Sequence, residues 1–166
     1  MRHYPKGFTL FEMLLVLTLS VYLLMQVTTS WQEWRDRQQA ESYMHGLQNL
    51  LQAARVKALS QQQIIRVCPV LDGQCAENWL QAIPAAYEVP DATSSPNLWF
   101  SYRKPERGHR LRYNRSRLEF RADGGLNALQ NGTFVYCARD YLWYFTLTVS
   151  QAGRSQFSEQ QGACPL

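Results

Sequence analysis

Three groups of side chains in this sequence have types and spacings that bear chemistry. The first is a lone carboxylate, Glu12, inside the apolar run from Phe8 to Val27. Only Thr9, Glu12, Thr18, Ser20 and Gln26 are polar there, and only Glu12 is charged. Twenty such residues are enough to span a bilayer as a helix. A carboxylate in that setting costs roughly 2.5 to 3.5 kcal/mol on insertion scales, so it marks a function unless it merely snorkels to a nearby interface.

The second group is Cys68, Cys75, Cys137 and Cys164. Arg2 and Lys6 precede the apolar run and the next basic residue is Arg35, so the positive-inside bias places the N-terminus in the cytoplasm and the remainder outside. An oxidising exterior makes two disulfides the expected use of four cysteines. Three pairings are open; the short separation of Cys68 and Cys75 favours a local loop, which leaves Cys137 to tie Cys164. The latter closure would contribute roughly 3 to 4 kcal/mol by loop entropy. A four-cysteine zinc site is the rival, but it would want closely spaced cysteine pairs, and no metal or other cofactor is expected.

The third group is basic. Arg103, Lys104, Arg107, Arg110, Arg112, Arg115, Arg117 and Arg121 face only Glu106 and Glu119 within the same stretch. Guanidinium forks suit phosphate, and Tyr102, His109 and Tyr113 interleave rings able to stack on single-stranded bases. Alternation of Arg110 with Arg112 and of Arg115 with Arg117 equally fits the solvated or partner-facing side of a hairpin. Overall charge discriminates nothing: of 17 Lys+Arg, removal of Arg2 and Lys6 leaves 15 against 13 Asp+Glu. No catalytic constellation is present, for there is no Gly-x-Ser-x-Gly, no His-Glu-x-x-His and no glycine-rich loop opening a helix. Asp72-Gly73 and Asp123-Gly124 are turn formers, too isolated to ligate calcium. An enzyme is not expected.

The elements that position these groups are legible in outline. Between Gly7 and Pro69 there is no proline and one glycine, Gly46, so one helix is expected from about Phe8 to about Gln62, roughly 80 Å long. Past the apolar run, Ala40, Tyr43, Met44, Leu47, Leu50, Leu51, Ala54 and Ala58 keep helical steps of three and four, a stripe for core packing rather than for a ligand. His45 is expected to be solvated or to lie along the helix side. Strands are expected at Ile64 to Cys68, closed by Pro69, then from Trp79 to Val89, Leu98 to Arg103, Arg110 to Tyr113, Arg117 to Arg121, Thr133 to Arg139 and Leu142 to Val149. Leu71-Asp72-Gly73, Asp91 to Pro96, Asp123-Gly124-Gly125 and Asn131-Gly132 punctuate them as turns or loops. At 166 residues there is room for one modest domain beside the apolar segment. The fold class expected is α+β, an antiparallel sheet wrapped on the C-terminal half of one long helix.

Lys6-Gly7-Phe8-Thr9-Leu10-Phe11-Glu12 resembles the class III signal of type IV prepilins and pseudopilins. Arg66-Val67-Cys68-Pro69, Asp72-Gly73, Cys75, Trp79, Asn131-Gly132-Thr133-Phe134, Cys137 and Val149-Ser150-Gln151-Ala152-Gly153-Arg154 are similar to the FimT/FimU minor pilins and the related GspH minor pseudopilins. That resemblance implies a leader over residues 1–7, cut between Gly7 and Phe8, with N-methylation of Phe8 by the prepilin peptidase. It further implies a transmembrane and filament-core half of the helix at 8–29, an amphipathic half at 30–62 and a periplasmic β-rich head at 63–166. Glu12 would meet the amino terminus of a neighbouring subunit. The implied place is the bacterial inner membrane, single-pass, with later incorporation into a pilus or pseudopilus beside other minor and major pilins. The implied function is a low-abundance subunit that helps initiate type IV pilus assembly near the tip; the alternatives are a minor pseudopilin of type II secretion and a DNA-binding minor pilin. Some FimT-type pilins carry a Gly-Arg-x-Arg motif for DNA; here Gly153-Arg154-Ser155-Gln156 supplies only the first arginine.

Overall fold

Absence of helix breakers after Gly7 yields a single continuous α1, Leu10–Gln61, of 52 residues. Thr9 starts it: its hydroxyl oxygen accepts the Glu12 backbone N–H at 3.2 Å, satisfying one of the otherwise orphaned first-turn donors. Gln62 ends it in the left-handed region at φ 53°, while its side-chain amide donates to the Leu59 carbonyl. The computed structural model describes residues 8–71, 74–80, 82–89 and 97–166, with the side chains of residues 26–30 outside that description. Asp72, Gly73 and the Asp91 to Pro96 loop therefore lie outside the described residues, as does the leader.

The chain divides into two compact units, Met1–Asp36 and Arg37–Leu166. In the first, every described side chain from Phe8 to Met25 is exposed. Among the described residues, no helix is long and apolar enough to cross a membrane; the apolar run read in the sequence continues to Val27, beyond the last described side chain of that stretch.

In the second unit the helical stripe is buried in full, from Ala40 through Tyr43, Met44, Leu47, Leu50, Leu51 and Ala54 to Ala58. The sequence suggests one sheet; two are found among the described residues. Sheet A comprises β1 (Ile64–Leu71), β2 (Gln74–Cys75), β3 (Ile83–Val89), β4 (Asn97–Ser101) and β6 (Leu118–Phe120), ordered β2-β1-β3-β4 with β6 on β1. Sheet B is β5-β7-β8-β9, from His109–Tyr113, Gly132–Ala138, Trp143–Val149 and Ser155–Gln161. Ile65, Val67 and Ala86 from one sheet and Leu111, Phe134, Tyr136, Phe145, Leu147 and Val149 from the other close on the helix in one apolar cluster. Splitting the strands lets both sheets place an inward row on the same stripe.

Pro69 does not close β1. It stands opposite Pro84 of β3, and the two carbonyls point away from each other, Pro69 O accepting from Ala76 N–H and Pro84 O from Tyr102 N–H. The pair is therefore a non-hydrogen-bonded one, and neither missing N–H removes a bond from the β1–β3 ladder. The sequence does not predict β9, because Ser-Gln-Phe-Ser-Glu-Gln-Gln has little strand propensity; it is held by pairing with β8 from Trp143↔Gln161 to Val149↔Ser155. β7 begins at Gly132, so the turn expected at Asn131-Gly132 falls earlier, at Ala128-Leu129, with Leu129 at φ 62°. Likewise Arg103 and Arg139 lie beyond the ends of β4 and β7. Gly46 has a packing reason to be glycine: the Tyr102 phenol occupies the space where its Cβ would stand.

Candidate functional site

The N-terminal group is arranged around the helix start. Gly7 lies outside the described residues, while Phe8 is exposed and Glu12 sits three residues past the capping Thr9. Thr9-Leu10-Phe11-Glu12 is a capping-box sequence. One half of the box is formed, the Glu12 N–H to Thr9 bond. Thr-x-x-Glu is a signal present in the sequence that a reading centred on charge passes over.

The cysteines are bonded as Cys68–Cys75 and Cys137–Cys164. Cys68 is in β1 and Cys75 in β2, so the first bridge staples a short hairpin. Cys137 faces Arg110 across β5 and β7. Opposed residues share a face, so the second bridge lays the C-terminal tail on the side of sheet B that carries Arg110.

The basic stretch does not form the hairpin that its alternation suggests. Its first part is β5 in sheet B, its last part is β6 in sheet A, and Asn114 to Arg117 connect the two. Within β5 the alternation holds: His109, Leu111 and Tyr113 are buried, while Arg110 is half-buried and Arg112 exposed. The cations then separate by partner. Arg103 lies 5.8 Å from the Tyr43 ring centre and 5.9 Å from that of Tyr102. Arg110 is 3.7 Å from Asp140, Arg117 is 3.4 Å from Glu119, and Arg121 grips Asp123 at 2.5 Å. Lys104, Arg107, Arg112 and Arg115 are exposed and have no ion pair among the described residues.

Three open clefts meet at Leu80 along β5. One of about 550 Å³ is lined by Glu77, Trp79, Arg110, Arg112, Arg115 and the tail residue Leu166. The second, about 780 Å³, is walled by Arg110, Arg139 and Asp140, and the third, about 330 Å³, by Lys104, Glu106 and Arg107. Trp79 positions this wall. Buried edge-on against Tyr113 and Phe134, it donates its indole N–H to the Arg115 carbonyl at 2.9 Å. The rings expected to stack on bases are not presented there: His109 and Tyr113 are buried, and Tyr102 is half-buried against the helix. Their apolar bodies serve the core instead: the strand period sends His109 and Tyr113 inward, and Tyr102, one residue past β4, packs on Tyr43.

Arg154 is exposed at the β8–β9 turn. It lies at the same end of sheet B as Arg115 but across its width, three strand spacings or roughly 14 Å away. Gly153 before it is at φ 73°, and a Cβ there would strike the Gly124 carbonyl, which also accepts from Arg55 Nε at 2.9 Å. The glycine of that fragment is thus required by the fold.

A polar node that the sequence did not reveal ties β6 to β1. Glu119 is buried and accepts from Arg66 Nε at 2.7 Å, Asn127 Nδ2 at 2.8 Å and Gln130 Nε2 at 3.3 Å. Burial alone would raise its carboxyl; the Arg66, Asn127 and Gln130 bonds outweigh that and hold it below the usual carboxylate range. Among the described residues no group of three or more His, Cys, Asp or Glu could hold a metal ion.

A long N-terminal helix packed by its C-terminal half on antiparallel sheets is the pilin fold, and the class these features define is that of minor pilins and pseudopilins. The chain belongs to the family described as type II transport protein GspH, whose family model matches residues 44–153. Among solved structures it is similar to the type IV minor pilin FimU of Pseudomonas aeruginosa strain PAO1 in two crystal forms. One shares 24% identity at a TM-score of 0.59, covering 78% of this chain and 98% of that one. The other shares 25% identity at a TM-score of 0.53, covering 74% and 98%. No curated protein matches the chain. Pilin-family proteins are structural subunits, anchored in the inner membrane and incorporated into filaments.

Proposed function

We propose that this protein is a minor pilin of a type IV pilus, cut between Gly7 and Phe8, methylated at Phe8 and incorporated near the filament tip, where it helps initiate assembly. It is not an enzyme but a substrate of the prepilin peptidase and its methyltransferase activity. Residues 8–29 serve as the transmembrane and later filament-core half of the helix, 30–62 as its amphipathic half and 63–166 as the periplasmic head. The observation that carries this reading is the contrast along one helix: the apolar side chains from Phe8 to Met25 are exposed in the isolated chain, whereas the stripe from Ala40 to Ala58 is fully buried. A bare apolar rod bearing one carboxylate calls for lipid first and like rods afterwards. In the filament Glu12 meets the amino terminus of a neighbour.

The capping box makes the test sharp. Both variants keep the backbone N–H that Thr9 caps; Glu12→Ala removes the whole polar side chain, whereas Glu12→Gln keeps the side-chain type that a capping box accepts and removes only the charge. Both variants should insert in the membrane and fail to enter filaments, read by the fraction of subunit in sheared pili. Normal incorporation of Glu12→Gln would reduce Glu12 to a helix-start residue and overturn the pairing. Assignment to a pilus rather than a type II secretion pseudopilus is tested by periplasmic crosslinking: pilus subunits as neighbours support it, secretion pseudopilins overturn it.

A second reading, nucleic-acid contact by the head during DNA uptake, is favoured by Lys104, Arg107, Arg112 and Arg115, which carry no ion pair among the described residues. The contacts it calls for are to phosphate, since the neighbouring rings are turned into the core. Arg112→Ala with Arg115→Ala should lower the slope of log affinity against log salt by roughly two, about one for each phosphate no longer neutralised. Absence of salt-sensitive binding in the parent ends this reading.

A further inference from the structure

Beyond the filament-core run, α1 carries two large exposed aromatic side chains. Trp31 and Trp34 are 59% and 54% exposed, their ring centres 5.1 Å apart and tilted by 38°. Separated by three residues they share a helix face, and Arg35, four residues after Trp31 and also exposed, lies on it too. An exposed indole pair in water is unfavourable, and this face needs an occupant with both apolar and polar character.

The helix's own length identifies that occupant. From Phe8 to Trp31 the rise is roughly 35 Å, slightly more than the roughly 30 Å hydrocarbon core of a bilayer. Counted from Val27, where the apolar run ends, Trp31 is roughly 6 Å and Trp34 roughly 10 Å further along. The headgroup layer on each side is roughly 5 to 8 Å thick. Helical side chains lean toward the helix N-terminus, which tips both indoles back toward the apolar run. Indoles prefer this layer because the ring body is apolar and the N–H seeks a partner, and a guanidinium beside them can reach lipid phosphate.

We propose that Trp31 and Trp34, with Arg35, form an interfacial anchor seated in the outer headgroup layer of the inner membrane, setting the depth at which the subunit waits before it enters a filament. This rests on the membrane-inserted reading above. The two are separable by experiment. The full chain is reconstituted in vesicles of phosphatidylcholine and phosphatidylglycerol, and the Trp31→Phe/Trp34→Phe double variant supplies the background of Trp79, Trp99 and Trp143. The difference emission should be quenched by iodide at least about twofold less than free tryptophanamide, and more by lipids brominated near the headgroup than near the chain end. Quenching equal to tryptophanamide, in protein that still floats with the vesicles, overturns the anchor and spares the membrane reading. Failure to float overturns both. Shielding that persists in lipid-free detergent and rises with protein concentration assigns the face to a second copy and also overturns the anchor.

Discussion

The two halves of α1 both carry apolar side chains, one all round and the other in a stripe, and they behave oppositely. In the Arg37–Leu166 unit the stripe is narrow, every member is covered, and two sheets, two disulfides and a buried carboxylate node close around it. In the Met1–Asp36 unit the apolar residues surround the helix, and their described side chains are uncovered. The period of the pattern accounts for the difference. A one-sided stripe can be satisfied by the chain's own strands, whereas an all-round surface can be satisfied only by surroundings, lipid or other helices. One half stores folding energy internally; the other leaves it to be released on assembly.

The largest effect should come from exchanging equivalent leucines across that divide. Leu47→Ala should lower the unfolding free energy of the full chain in micelles by about 2 to 5 kcal/mol, whereas Leu15→Ala should leave it within about 0.5 kcal/mol. Equal effects would erase the distinction between the halves. Next come the disulfides, which only the head uses. Replacing Cys137 and Cys164 by Ser should reduce stability by roughly 3 to 4 kcal/mol, and replacing Cys68 and Cys75 by about 2.5 kcal/mol, by loop size. Denaturant titration of each pair measures this. Loss of the Cys137 bridge should also release Leu166 from the cleft beside Arg112.

Smallest is the Glu119 node, where Glu119→Gln should cost about 1 to 3 kcal/mol by weakening the hold on Arg66. Because the folded carboxyl lies below its ordinary value, its contribution is present above the unfolded pKa of about 4.3 and is lost as pH falls through the lower folded value. The difference in Tm between parent and variant should therefore shrink on acidification below about pH 4.3. A difference that stays constant with pH would remove charge from the explanation.

Much of this is legible in the chain alone. The helix expected from Phe8 to Gln62 differs from α1 by one or two residues at each end, because no breaker interrupts a run whose period is read directly. The core stripe follows from the same period. Strand existence is mostly readable and strand partnership is not. Arg110 to Tyr113 and Arg117 to Arg121, adjacent and alternating, enter different sheets, since the turn between them is held by Trp79 from a distant loop. β9 is invisible in the sequence because its strand character is conferred by β8. Among the candidate site residues, cation identity is plain, but only the fold shows that Arg103, Arg110, Arg117 and Arg121 have partners of their own.

Local chemistry written along the chain determined the helix, its change from all-round to one-sided apolarity, the turn formers and the supply of four cysteines. Those properties act over a few residues and need no partner. Tertiary structure decided the two-sheet division, the burial of His109 and Tyr113, the gathering of Asn127 and Gln130 on Glu119, and which arginines stay exposed without an ion pair among the described residues. Each of these depends on which groups the packed core brings together, where desolvation and hydrogen-bond satisfaction choose among arrangements that the linear pattern leaves equal.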